Sequence, residues 1–415
     1  MSGSALVIGG GVVGCASALS LARLGWRVEL LEAGTVGGGC SHGNCGYVCP
    51  SHVLPLAVPG AVGTALRAML RGDAAITIAP RLDPTLARWL FRFWKQCRND
   101  LAVTSARGRH ALLTSSRSLY EQLFREEGVD AHLEEKGLLL VYPNEREFQA
   151  HSETAAWLGT EFGIETRAIS AADLTEFEPA LKPGLGGGWW YEGDAHVDPD
   201  QVVTALRLLA ERAGVSMLEG VTVTDLIVRG ESVQTVVTTA GDIDADVVVV
   251  ATGAEAPFLS RRLGLKLPIQ PGKGYSITLR TPERAPLVPM VFEAQHVAVT
   301  PFRDSFRIGS TMEFAGYDRT LSDERLALLR RSAAEHLVDP GSGPPLEEWC
   351  GWRPMTPDDL PFIGPVPRVN NVFVAAGNGM IGLSTAPATG LLVAELASGV
   401  KPHLDPAPYR LDRFR

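Results

Sequence analysis

The chain has no apolar run long enough to cross a bilayer as a helix, which excludes a membrane-spanning protein built of helices. It has no excess of positive charge: the formal net charge is −9, and nucleic-acid binding, which needs a basic face, is not expected. It has no leader-like N-terminus, because the strand pattern "ALVIGG" begins at Ala5, so folding in the cytoplasm is expected. Low-complexity linkers and internal repeats are also missing. With 415 residues, 45% apolar and 20% charged, what is left is a chain able to fold into two domains with their own cores.

Six cysteines in such a compartment are expected as thiols. Three of them, Cys40, Cys45 and Cys49, fall with His42 and His52 in "VGGGCSHGNCGYVCPSH". Their spacing is four and three residues between cysteines, and no second CxxC knuckle exists to complete a zinc site. No metal is expected.

The flanking sequence explains the stretch better. "ALVI" reads as a buried strand that runs into "GGGVVG", with Gly9, Gly11 and Gly14 at the GxGxxG positions. The helix opening at Val12 and Val13 follows, then the strand "RVELLE" ending at Glu32. The first glycine permits the tight turn, the second lets backbone approach a pyrophosphate, and the third lets helix and strand touch. The helix N-terminus presents free N–H groups to the phosphates, and Glu32 is placed to accept from ribose hydroxyls. This is a dinucleotide site.

A second strand–GxGxxG–helix unit is lacking; "GLGGGWW" has the glycines but is followed by aromatic, strand-like residues. Flavin reductases fed by NAD(P)H commonly carry two such units, so FAD is the expected cofactor. "DADVVVVATG" reads as a buried strand ending at Thr252 and Gly253 beside the phosphate turn, and Val223 is assigned to the cofactor wall. The cysteine-rich stretch is then the segment that runs along the cofactor. Cys40, Ser41, Asn44 and Gly46 line it, with small residues and hydroxyls where backbone must pass close.

Nearly the whole chain resembles the D-amino-acid dehydrogenases of the glycine oxidase and D-amino-acid oxidase superfamily. "CSHGNCGYVCPSHVLPLAVPG", "IQPGKGYSITL" and "HVAVTPFRDSFRIGSTMEFAGYD" are similar to its flavin loop and substrate-domain strands. "GWRPMTPDDLPFIGPV" and "GNGMIGLSTAPATG" are the most specific matches. The departures are Cys40-Ser41 and Cys45 in the flavin loop, and Asn378 between Gly377 and Gly379 where a histidine is usual.

The resemblance implies an α/β fold: a discontinuous Rossmann-like FAD domain (1–55, 196–268, 345–415) and an α+β substrate domain on an antiparallel sheet (56–195, 269–344). It implies dehydrogenation of a D-amino acid, cyclic imino acids such as D-proline or hydroxyproline included, by hydride transfer to the flavin. Arg353 would hold the substrate carboxylate. Asn378 and the turn Gly379, Met380, Ile381, Gly382 and Leu383 would face the ring, with helix-end N–H groups against its developing negative charge. Tyr275 suits either a hydrogen bond to substrate or core packing. The acceptor branch implies a quinone or an electron-carrier protein; an oxygen-using oxidase and a non-catalytic flavoprotein scaffold are the competing readings. "LARWLFRFWKQC" (86–97) carries Trp89, Leu90, Phe91, Phe93 and Trp94 among basic residues, a pattern open to peripheral membrane contact or to burial.

Overall fold

A computed structural model describes residues 3–71 and 75–414. The opening strand Ser4–Ile8 pairs in parallel with Arg27–Leu31 on one side and Val247–Val250 on the other. Those three runs lie at the centre of a six-stranded layer, completed by Ser216–Leu218, Val372–Ala376 and Phe362–Pro365. Central strands covered on both faces read as unbroken apolar runs, and Val247–Val250 is buried throughout. Each such side chain contributes about 1.5–3 kcal/mol on burial.

Three helices cover this layer. Val12–Arg23 and Gly382–Ser398 lie so close that a Cβ on Gly390 would stand 2.5 Å from the Ala16 carbonyl carbon. Pro199–Arg212 begins as its sequence requires: Asp198 accepts hydrogen bonds from the Asp200 and Gln201 N–H groups, and Pro199 occupies the first turn. The long helix Asn99–Glu126 also joins this core, with Tyr120 donating to the Leu383 carbonyl.

The second large sheet has nine strands and is mostly antiparallel. Gln270–Arg280 is its spine, flanked by Ser305–Phe314 and Glu347–Met355. Beyond Ser305–Phe314 come Val297–Pro301, Met290–Phe292 and Leu138–Tyr142. Glu347–Met355 is thus hydrogen-bonded into this sheet, and the six-stranded layer resumes only at Phe362. A nine-residue partner for the spine is what extends this sheet past residue 345.

The helix Pro84–Gln96 turns Leu86 and Trp89 inward, where Trp89 Nε1 donates to the Met355 carbonyl at 3.0 Å. Phe91 and Trp94 point out, 52% and 59% exposed, with Lys95 over the Phe91 ring. The aromatic run is therefore split between core and surface. Among the described residues no helix is long and apolar enough to cross a membrane.

Candidate active site

A cavity of about 1570 Å³ runs between the two sheets. One end is built by the phosphate turn. Gly9 adopts φ +108°, and a Cβ there would stand 2.6 Å from the Ala251 carbonyl oxygen. A Cβ on Gly14 would stand 1.8 Å from the Gly9 carbonyl oxygen, so helix and turn touch only because position 14 is glycine. Gly11, Val12 and Val13 line the cavity. The helix they open has no acidic residue in its first turn, which leaves its N-terminus suited to an anion. Ser41 reaches across to accept from the Val12 N–H at 3.0 Å.

Glu32 lines the same end and accepts from Gly10 N–H (2.7 Å) and Gly34 N–H (2.8 Å). Its carboxylate thereby ties the phosphate turn to the loop after the second strand. Val223, Thr252 and Gly253 form the adjoining wall, and the Thr252 hydroxyl is buried without a partner. An orphaned hydroxyl beside a glycine cradle and a helix N-terminus is the donor set that a dinucleotide's phosphates and ribose would satisfy.

The glycine- and cysteine-rich segment forms the long side. Cys40, Ser41, Asn44 and Cys45 line the cavity. Gly46, at φ +79°, instead lets the chain pass Val197, whose carbonyl oxygen would be 2.2 Å from an added Cβ. Burial pushes the Cys40 thiol up to about 11 despite the nearby Arg353, and it raises Cys45 as well. Both are neutral thiols near neutral pH. His42 anchors the segment: Nδ1 meets Asp200 at 2.7 Å and Nε2 meets Glu347 at 2.9 Å. The Asp200 hydrogen bond leads in raising its pKa to about 9, with Glu347 adding to it. Arg307 holds the same segment through the His42 and Asn44 carbonyls (2.6 and 2.7 Å).

Cys49 and His52 converge with Asp194, their donor atoms within 4.8 Å of one another. Ser51 donates its N–H and its hydroxyl to Asp194, 3.0 and 2.5 Å. This group went unread in the sequence because Asp194 lies over 140 residues downstream of its partners. Burial, with Arg109 nearby, lowers His52 to about 4, so its ring is neutral.

Arg353 closes the other end. Its guanidinium donates to the Thr311 carbonyl at 3.0 Å and has no further hydrogen bond or ion pair among the described residues. Burial lowers its pKa from the ordinary arginine value. Gly274 makes the space: a Cβ there would meet the guanidinium carbon at 2.6 Å. Arg353 lines the cavity together with Gly379, Met380, Ile381, Gly382 and Leu383, and the Gly379 N–H donates to the Pro354 carbonyl at 3.1 Å. Asn378 lines it too; its Nδ2 donates to Thr385 and Thr389, both at 3.0 Å, which fixes the turn before the helix.

Tyr275 is a correction. It alternates with Gly274 and Ser276 and so points to the sheet's other face, 1% exposed, in the core beneath the Asp323–His336 helix. Its hydroxyl donates to Glu313 at 2.9 Å, and it is not part of the cavity wall. Of its two readings, packing is the one the structure supports.

A parallel sheet with a glycine turn at its carboxyl edge, facing an antiparallel sheet across one cavity, defines a flavin-dependent oxidoreductase. The chain belongs to the FAD dependent oxidoreductase (DAO) family, whose model matches residues 4–396, and FAD is its cofactor. It is 34% identical to the D-amino acid dehydrogenase of Methylobacterium nodulans, over 96% of each chain. It is 31% identical to that of Agrobacterium fabrum, over 98% of this chain and 99% of the relative. Among solved structures it is similar to glycine oxidase from Geobacillus kaustophilus (TM-score 0.81, 27% identity, 100% and 99% coverage). The L-proline dehydrogenase of P. horikoshii shares the fold (TM-score 0.76, 23% identity, 100% and 98% coverage).

Proposed function

We propose that this enzyme dehydrogenates the Cα–N bond of a D-amino acid and passes the electrons to a quinone or an electron-carrier protein. The observation that carries the reading is the Arg353 guanidinium, held by one bond to Thr311 and otherwise free, on the wall of the cofactor cavity. A planar guanidinium with spare N–H groups matches a carboxylate through two parallel hydrogen bonds. The D configuration is supported by the curated relatives, D-amino acid dehydrogenases at 30–34% identity over nearly the full chain.

Bound FAD supplies the two-electron acceptor for a hydride leaving Cα. The protein's task is orientation. Arg353 fixes the substrate carboxylate, and with the amine neutral its lone pair forms the C=N bond as the hydride departs. The iminium so formed then loses a proton to water, so no side chain must act as a base at Cα. The imino acid product hydrolyses to a 2-oxo acid and ammonia; a cyclic substrate such as D-proline would give a ring imine. The N-terminus of the Gly382–Ser398 helix, which follows the Gly379–Ile381 turn on the cavity wall, offers positive potential to the negative charge that the cofactor gains.

Oxygen is the competing acceptor, favoured by the likeness to a glycine oxidase. Turnover of D-alanine, D-proline and their L enantiomers, followed in parallel with a soluble quinone and with air, tests the whole reading. Formation of 2-oxo acid or ring imine from the D series with quinone, and little peroxide in air, is expected. Rapid peroxide release would replace the acceptor assignment; turnover confined to the L series would overturn the stereochemistry. The exposed Phe91 and Trp94, beside Arg88 and Lys95, are the surface through which we propose the enzyme rests on a bilayer that carries the quinone.

A further inference from the structure

The register of the substrate sheet fixes what else faces Arg353. Val291 pairs with Ala298, Ala298 with Gly309, and Gly309 with Ser276, so these four share one row on one face. Cys45 covers that row, its Sγ 2.8 Å from where a Gly309 Cβ would stand. On the next row Gly274, beneath the Arg353 guanidinium, pairs with Met312 across a bulge in Ser305–Phe314. Glu293 and His296 lie in the turn that joins Met290–Phe292 to Val297–Pro301, just past the paired Phe292 and Val297. Arg353, Met312, His296 and Glu293 all line the cavity.

The Glu293 backbone is held by Val141 and His296, but its carboxylate has no hydrogen bond and no ion pair within 4.0 Å among the described residues. Burial pushes its carboxyl up, and the charged or titratable groups that face it are His296 across the turn and the phenols of Tyr142 and Tyr191. Among the described residues no lysine or arginine lies within 4.0 Å of it, and His296 is the one group that lowers its pKa. A carboxylate on a ligand cavity without a cation is a site for a cation carried by the ligand.

Distance selects the ligand. Gly274 and the turn that carries Glu293 are three strands apart, and at about 4.8 Å per strand this is about 14 Å. An extended chain advances about 1.2 Å per bond, so the six or seven bonds from the carboxylate carbon of lysine or arginine to its terminal nitrogen cover about 7–8 Å. Adding a charge-assisted hydrogen bond of about 2.8 Å at each end gives about 13 Å. An alanine-sized substrate held by Arg353 would leave Glu293 unmatched.

Building on the amino-acid reading above, we propose that the preferred substrates are D-amino acids with a long cationic side chain, D-lysine and D-arginine, and that Glu293 is the residue that selects them. Arg353 takes the carboxylate, Met312 flanks the aliphatic stem, and Glu293 receives the terminal cation.

The test compares kcat/KM for D-lysine, D-arginine, D-norleucine, D-alanine and D-glutamate in the wild-type holoenzyme, Glu293→Gln and Glu293→Lys. D-norleucine matches lysine's stem without its charge. In the wild type, D-lysine is expected to exceed D-norleucine by roughly 10- to 100-fold. Glu293→Gln should remove that ratio while keeping D-norleucine turnover, and Glu293→Lys should turn the preference toward D-glutamate. Retained D-norleucine turnover shows that the variants fold. Equal rates for D-lysine and D-norleucine in the wild type, or a ratio unchanged in Glu293→Gln, would overturn the inference and leave the amino-acid reading intact. Failure of every amino acid would remove both.

Discussion

Gly274 and Arg353 occupy one space: the guanidinium carbon lies 2.6 Å from where a Cβ on Gly274 would be. The Gly274 backbone is fixed in the sheet spine, so an added methyl group must displace the arginine. Gly274→Ala is expected to keep FAD bound while lowering kcat/KM about 100-fold, because a displacement near 1 Å is enough to spoil alignment. Arg353→Lys should do the same by losing the bidentate contact. Steady-state kinetics on protein with an unchanged flavin content check both.

The phosphate turn gives a sharper structural outcome. A Cβ on Gly14 would overlap the Gly9 carbonyl oxygen at 1.8 Å. Gly14→Ala should therefore yield protein without FAD or with a strongly reduced flavin-to-protein ratio, read from the visible spectrum after gel filtration. Full FAD occupancy would contradict the assignment of this turn.

His42 joins the cofactor segment to a helix of one sheet layer and a strand of the other, through Asp200 and Glu347. Its pKa is raised to about 9 from an unfolded value near 6.5. The folded state therefore binds more protons in that window, and stability falls as pH rises through it. The contribution is complete below about pH 6.5 and lost above about 9. Thermal denaturation from pH 6 to 10 should show Tm falling more steeply in the wild type than in His42→Gln, with the two converging at high pH. Parallel curves would show that the two carboxylates do not hold the imidazolium.

Much of the cofactor end was legible because its chemistry is local. Strand, glycine turn, helix and acidic residue follow each other within 32 positions, and each step is forced by backbone geometry. The substrate end was less legible. Tyr275 and Gly274 are adjacent, yet one is core and the other is cavity floor; the sequence does not say which parity faces the cofactor. Asp194 beside Cys49 and His52, and Glu293 on the same cavity as Arg353, depend on contacts between segments far apart in the chain. The helix near residue 90 was expected from its pattern, but the inward turn of Trp89 follows from the Met355 carbonyl it meets.

The outward half of that helix has its own test. Phe91 and Trp94 are more than half exposed, an unusual position for large aromatics beside basic residues. Flotation with anionic vesicles should carry the wild type upward, and Phe91→Ser with Trp94→Ser should return most of it to the soluble fraction. Wild-type protein that never floats would remove the membrane contact.

The central claim is that this cavity holds an amino acid by its carboxylate against a reducible flavin. Anaerobic mixing of the holoenzyme with D-amino acids, watching the yellow absorbance, addresses it most directly. Bleaching is expected with D-amino acids, and in Arg353→Ala it should require far higher concentrations of the same compounds although FAD remains bound. A flavin that stays oxidised with every D- and L-amino acid, or an Arg353→Ala variant that bleaches as readily as the wild type, would contradict the account.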